Sequence, residues 1–467
     1  MSGWVRAGER TWVNSRERRS TLGGVDEDGA DVTNEMTYLV LETAERMRTP
    51  EPSIALRYHQ GTPDRLLSRA TDVIRTGIGY PSLFNDGSIL PLLRRWDVPL
   101  RDARDYAVTG CVYIELPGKN MVRRAYGAMI LPLALWYALN QGRHPLTGRQ
   151  SGAATPDPLR FQSLDEVMEA YLEQVGFFFD RLCKIQNTCQ ALYQKYLPRP
   201  YYSALIQGCI EQGKDCRAWS YPSPVADFCV MLGPTNVADA ITAIKKNVFE
   251  EKTVSMEELL RAMKANWVGH EKVRRLMVKA PKFGNDDDHA DEVAAAVHHR
   301  TAEVMARSRN RFGLACRGDG SGISATYGAG AAVPATPDGR RDGDPLADAT
   351  LSPGFGMDQQ GPTAVLKSAA KISTEKTYNH LLNQKFLPDA LTGDMKPIFV
   401  SYLRSWGELG ISHIQFNVVD RETLLEAQEH PEKHPDLLVR VAGYSAYFVD
   451  LSKGLQDSII ARTEQAF

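Results

Sequence analysis

From about residue 30 to the end of the chain, segments with helical spacing of apolar residues alternate with short extended segments. A chain with that rhythm packs as an α/β structure, open or closed, because helices and strands that alternate must bury one another's apolar faces. Thr62-Pro63 introduces DRLLSRATDVIRTG, which has Pro63 at the first helical position and Gly77 to stop it. The following PSLFN reads as a strand closed by an Asp86-Gly87 turn. Leu164 to Leu197 reads as one long helix after Ser163, Ser255 and Glu258 form a capping box, and HIQFNVV (413–419) reads as a strand leading into a helix from Arg421.

One stretch breaks the rhythm. Between Arg317 and Gly361 glycine and proline cluster, and we place a domain boundary near its middle, dividing the chain into 1–19, 20–337 and 338–467. These glycines do not read as a phosphate cradle, because no Gly-Lys-Ser/Thr is present and no Gly-x-Gly-x-x-Gly follows a strand. At 467 residues with a net charge of −2, the chain is long enough for a large core and has no basic stripe for nucleic acid or anionic membrane. The longest apolar run, Ala125 to Leu139, falls short of the roughly 20 residues of a membrane span and reads as a buried helix. The basic N-terminal stretch has no apolar signal core, so a cytoplasmic protein is expected. Seven cysteines, an odd number without a Cys-x-x-Cys pair, predict free thiols rather than disulfides or zinc, and no metal site is expected.

Two segments carry chemistry. In YAVTGCVYIELPGKN (106–120), Cys111 follows Gly110 within an apolar, β-branched stretch that must turn at Pro117-Gly118, which places one thiol on a tight loop. A lone cysteine among apolar neighbours is most often a packed hydrophobe, and no His or Lys lies beside it to make a thiolate. In LLVRVAGYSAYFVDLSKGLQDSIIARTEQAF (437–467), Gly443 interrupts a strand-like run, as at a bulge or tight loop. Glycine is also the residue whose Cα can lose a hydrogen atom to give a planar radical free of side-chain clash, stabilised by the flanking amide nitrogen and carbonyl.

Arg440-Val441-Ala442-Gly443-Tyr444, with SAYFVDLSK and IIARTEQ after it, resembles the C-terminal signature of the glycyl radical enzymes, the pyruvate formate-lyase-like superfamily. Further stretches resemble the family in the same order: GGVDEDGADVTNEMTYLVLE, RYHQGTPDRLL, GIGYPSLFND, the Cys111 segment, KAPKFGNDDD, ATPDGRRDGDPLAD, GPTAVLKSAAKI and HIQFNVVDRETLLEAQ. The resemblance implies part of a ten-stranded α/β barrel in which the cysteine and glycine loops meet. It implies a radical stored on Gly443, installed by an activating enzyme that uses S-adenosylmethionine and an iron–sulfur cluster, with no tightly bound cofactor in this chain. It further implies that Cys111 becomes the thiyl radical that takes hydrogen from a small organic substrate, opening C–C or C–X cleavage or addition. The two residues are 332 positions apart, so only tertiary structure can join them.

The sequence departs from that pattern in three ways. Family eliminases carry Gly-Cys-Val-Glu with the glutamate as general base, whereas Tyr113 stands here; a phenol with an ordinary pKa of about 10 is a poor base at neutral pH. Tyr113 then lines the pocket or donates a hydrogen bond. Glu115, on the same face as Cys111 and Tyr113 if the segment is extended, is a second candidate base; its structural alternative is a hydrogen bond or ion pair with Arg123 or Arg124. Pyruvate formate-lyase itself uses two adjacent cysteines, but Val112 follows Cys111, so the enzyme expected is a glycyl radical lyase, formate acetyltransferase-like in its radical machinery and not in acyl transfer. Family chains are nearly twice this length, so the expectation is a C-terminal portion with the N-terminal half of the barrel missing, completed by another polypeptide, and a homo-oligomer. The competing reading is a noncatalytic partner or radical-repair subunit that completes or rescues a larger glycyl radical enzyme.

Overall fold

A computed structural model describes residues 19–119, 124–144, 147–218, 227–320 and 325–467. The N-terminal segment 1–19 set apart above therefore lies, up to residue 18, outside the described residues, as does Arg123.

A six-stranded sheet organises the molecule, in the order β1 (Arg19–Gly23), β2 (Ser53–Tyr58), β3 (Ser82–Asn85), β10 (His413–Val418), β9 (Asn383–Phe386) and β13 (Glu464–Gln465). Between β1 and β2 in sequence lies the helix Glu35–Met47, and between β2 and β3 the helix Asp64–Arg75; crossovers of this kind make both pairs parallel. β10 joins β3 antiparallel, and β9 and β13 continue parallel to β10, so two parallel triplets meet head to tail at the β3/β10 seam. All residues of β2, β3, β9 and β10 are buried, as strands covered on both faces require. Among the described residues the sheet is open, with β1 and β13 at its edges.

A second, parallel sheet consists of β6 (Arg124–Ile130), β7 (Asp227–Leu232) and β8 (Arg317–Asp319), and a bridge from Gly320 to His380 ties its end to the segment entering β9. Two short antiparallel hairpins complete the strands: β4 (Ala107–Thr109) with β5 (Tyr113–Glu115), and β11 (Leu438–Arg440) with β12 (Ser445–Tyr447). The largest core cluster packs the long helix Leu164–Tyr196, capped by Ser163 and Glu166, against the helices Pro234–Ile244 and Asp288–Met305.

Local expectations fare unevenly. The helix at 64–75 forms, with Pro63 at its N-cap rather than inside it. Asp86-Gly87 does not turn the chain back; Asn85 caps a helix over Asp86–Arg95 instead, because its side chain accepts from the Gly87 amide. The apolar run 125–139 is not one helix: it divides into β6 and the helix Leu131–Ala138, where Pro132 occupies the first turn, the part of a helix in which its missing N–H costs least. Ser255 accepts from the Glu258 amide, and the strand and helix at 413–418 and 421–429 stand as read.

Candidate functional site

The site is where the two hairpins touch. In the first, Gly110 (φ +54°), Cys111 and Val112 form the tip between β4 and β5. Cys111 is thus in a turn rather than in an extended strand with Tyr113 and Glu115, although those two do share a face of β5, opposite Thr109 and Ala107. Its base is fixed by a buried ion pair. Arg57 of β2 reaches Asp86 (2.8 Å) and donates to the carbonyls of Arg104 and Tyr106, while the Tyr106 hydroxyl donates to Asp86 (2.7 Å). Burial pushes that phenol well above its ordinary pKa, so it stays a donor. At the tip, Asn379 donates to the carbonyl of Val112.

In the second hairpin, Ala442 and Gly443 make a two-residue loop closed by the Val441 amide on the Tyr444 carbonyl (2.9 Å). Gly443 has φ +85°, where a side chain is strained, and a Cβ there would lie 2.3 Å from Cys111 Cβ and 2.8 Å from Cys111 Sγ. One α-hydrogen of Gly443 therefore points at the Cys111 side chain. Both residues are buried, Cys111 at 4% exposure, so water is kept from the contact.

Cationic side chains hold the glycine loop. Arg440, fully buried, donates to the Gly443 carbonyl (2.8 Å), to Gln415 Oε1 (2.9 Å) and to Ser445 Oγ, which in turn donates to the Ile78 carbonyl. It fits because Gly79 leaves room: a Cβ there would lie 2.8 Å from Arg440 Cβ. Asn417 pairs with the Arg440 backbone at both N–H (2.7 Å) and C=O (2.8 Å). Arg462, from the terminal IIARTEQ, donates to the carbonyls of Arg440 and Val441 and pairs with Asp348 (2.6 Å), which also accepts from Asn383. Finally Arg19 donates to the carbonyls of Cys111 (2.7 Å) and Gly443 (2.8 Å). Burial, followed by Arg19 and Arg440, drives His413 well below its ordinary pKa, so it sits beside these guanidiniums uncharged.

Sequence reading singled out Cys111 and Gly443, and the fold brings them into contact. It missed Arg19, Asn379, Asn417 and Arg462, whose roles are to hold loop backbones; the quoted RVAGY and IIARTEQ motifs contain Arg440 and Arg462 but give no hint of what they grip. Tyr113 is buried and stacks on Phe228 (4.8 Å between centroids), which stacks on Tyr378 and that on Trp96. Glu115 is largely buried; of its expected partners, Arg123 and the side chain of Arg124 lie outside the described residues. No helix among the described residues is long and apolar enough to cross a membrane.

Comparison with known proteins places this geometry. The sequence profile of the pyruvate formate lyase-like family matches residues 7–330, and that of the glycine radical domain matches residues 348–449. The chain is 36% identical to trans-4-hydroxy-L-proline dehydratase of Clostridioides difficile over 95% of its own length and 56% of the relative's, and 35% identical to (2S)-3-sulfopropanediol dehydratase of Klebsiella oxytoca over 96% and 55%. The glycerol-bound B12-independent glycerol dehydratase from Clostridium butyricum superposes with a TM-score of 0.90 at 34% identity, covering 97% of this chain and 57% of that one. The likeness is thus to nearly the whole of this chain, which itself spans little more than half of those relatives, and the alignments do not support the specific expectation of a missing N-terminal half. Nor do these names support formate acetyltransferase chemistry; the relatives are dehydratases. The glycine radical domain makes the redox group of the family part of the polypeptide itself. This chain belongs to the pyruvate formate lyase-like family of glycyl radical enzymes.

Proposed function

We propose that the chain bears the radical machinery of a glycyl radical lyase, with Gly443 storing the radical and Cys111 passing it to a small organic substrate. The observation that carries this reading is the contact of Cys111 Sγ with the side-chain position of Gly443, 2.8 Å away, inside a buried site. The step balances without an external reagent: the S–H bond of Cys111 breaks, a Cα–H bond forms at Gly443, and the unpaired electron moves from carbon to sulfur. The thiyl then takes a hydrogen atom from substrate carbon and returns it after the bond is cleaved. S–H and the weakened glycyl Cα–H bonds are similar in strength, so transfer is reversible once the atoms touch.

An activating enzyme using S-adenosylmethionine and an iron–sulfur cluster is the partner this reading requires. The two family profiles support dividing the chain near its glycine-rich stretch, into a barrel portion and a radical domain. A separate polypeptide that completes the substrate cavity belongs to the same proposal, and the open edges of the six-stranded sheet among the described residues favour it. Elimination of water or a comparable group is the reaction class the named relatives favour, with Glu115 as the candidate base, because Tyr113 is committed to ring packing. Homo-oligomerisation belongs to the same proposal.

Anaerobic activation followed by electron paramagnetic resonance tests it. A doublet from the remaining Gly443 α-hydrogen is expected. Gly443→Ala abolishes it, and Cys111→Ser keeps the doublet while ending turnover. Absence of the doublet in the wild-type chain supplied with a competent activating enzyme and completing polypeptide would sink the proposal. Rescue of an oxygen-cleaved homologue that tolerates Cys111→Ser would favour the radical-repair reading instead.

A further inference from the structure

Two short hairpins from opposite ends of the chain must keep one C–H bond aimed at one sulfur. Neither hairpin alone sets their spacing. Arg440 donates to the Gly443 carbonyl, but it belongs to β11 and travels with the glycine loop. Asn379 holds Val112 and Arg57 holds the base of the cysteine hairpin, without reaching the glycine loop. Arg19 differs from all of these. It sits on β1, outside both hairpins, opposite Ser53 in the parallel β1/β2 register, and its Nε donates to Ser53 Oγ (3.2 Å). Its two terminal nitrogens then divide: Nη1 donates to the Cys111 carbonyl (2.7 Å) and Nη2 to the Gly443 carbonyl (2.8 Å).

We propose that Arg19 is a positioning residue, a single guanidinium that spans the two loops and fixes the separation of Cys111 and Gly443. The inference rests on the radical function proposed above and adds a residue to it. The planar fork of a guanidinium keeps two N–H groups at a set distance and angle, so gripping one carbonyl with each converts that rigidity into loop spacing; a lysine ammonium has no such fork. The acceptors are the backbone carbonyls of the two reacting residues themselves. Misplacement by about 1 Å of groups that must react is enough to slow a reaction about a hundredfold.

The experiment has two arms on the full chain. In the first, no radical is needed: wild-type, Arg19→Lys and Arg19→Gln chains are alkylated anaerobically with iodoacetamide and Cys111 is followed by peptide mass spectrometry. With the bridge gone the loops part and the buried thiol opens, so labelling of Cys111 rises about tenfold or more in both variants while that of Cys183 and Cys316 stays put. In the second, the activated chain is transferred to D2O. The Cys111 thiol exchanges its hydrogen with solvent, and reversible transfer places deuterium on Gly443, collapsing the doublet. Arg19→Gln should hold a stored radical, since Arg440 still binds the Gly443 carbonyl, yet lose its doublet about tenfold or more slowly. Labelling of Cys111 at the wild-type rate in Arg19→Gln overturns the proposal, as does collapse at the wild-type rate. A wild-type chain that gives no doublet sinks the radical function instead, and the labelling arm still decides whether Arg19 sets the spacing.

Discussion

At the scale of single residues, the site depends on what is absent as much as on what is present. Gly443 has no Cβ, so Cys111 can occupy the space where one would stand, and Gly79 has none, so Arg440 can pass. Tyr113 occupies the place where family eliminases have a base, and its ring lies in a stack with Phe228, Tyr378 and Trp96. If that ring acts by packing, Tyr113→Phe should leave turnover and urea midpoint close to wild type, whereas Tyr113→Ala should cost about 3–5 kcal/mol as a cavity opens. A large fall in kcat for Tyr113→Phe alone would instead assign chemistry to the hydroxyl.

At the scale of elements, three residues per strand are too few for either hairpin to stand alone. Each is held by side chains of its neighbours bonding its backbone. Asn417 of β10 bonds both backbone groups of Arg440, so Asn417→Ala should leave the buried N–H without its acceptor, while Arg462 still donates to the carbonyl. The expected loss is about 1–3 kcal/mol in urea unfolding, with faster amide exchange confined to 438–447. Unchanged exchange there would mean that the main sheet does not support the glycine hairpin. Sequence patterns disclosed both hairpins as strand-like runs with a glycine in each. They did not disclose these supports, because an asparagine that caps a loop 23 residues away has no periodicity to betray it.

At the scale of the molecule, buried titratable groups oppose one another across the neutral range. Burial pushes Asp239 up to about 7 and Asp358 up to about 6, so both bind protons more tightly folded than unfolded. Their contribution is fullest below the unfolded value and is lost as pH rises through about 6 to 7. Buried His298, His380 (to about 3) and His413 are shifted down, chiefly by burial, so stability falls as the unfolded chain takes up protons below about 6.5. Three histidines outweigh two carboxyls between about pH 5 and 6.5, and above about pH 7 none of these five groups changes protonation on unfolding. The urea midpoint should therefore rise from about pH 5 to about pH 7 and then level off. Asp239→Asn, which removes an opposing group, should steepen that rise, and a midpoint that climbs as pH falls from about 7 to 5 would refute the assignment.

The α/β class, the family, and Cys111 and Gly443 as candidate residues were legible in the sequence, because those readings depend on local periodicity and on short motifs that stand intact. Tertiary structure alone decided that Cys111 and Gly443 touch, that Tyr113 is a packed ring, and that Arg19, from a strand no motif marked, grips both loops. Those facts depend on the distance between atoms far apart in the chain, and that distance is fixed only when the sheet brings β1, the β4–β5 hairpin and the β11–β12 hairpin together.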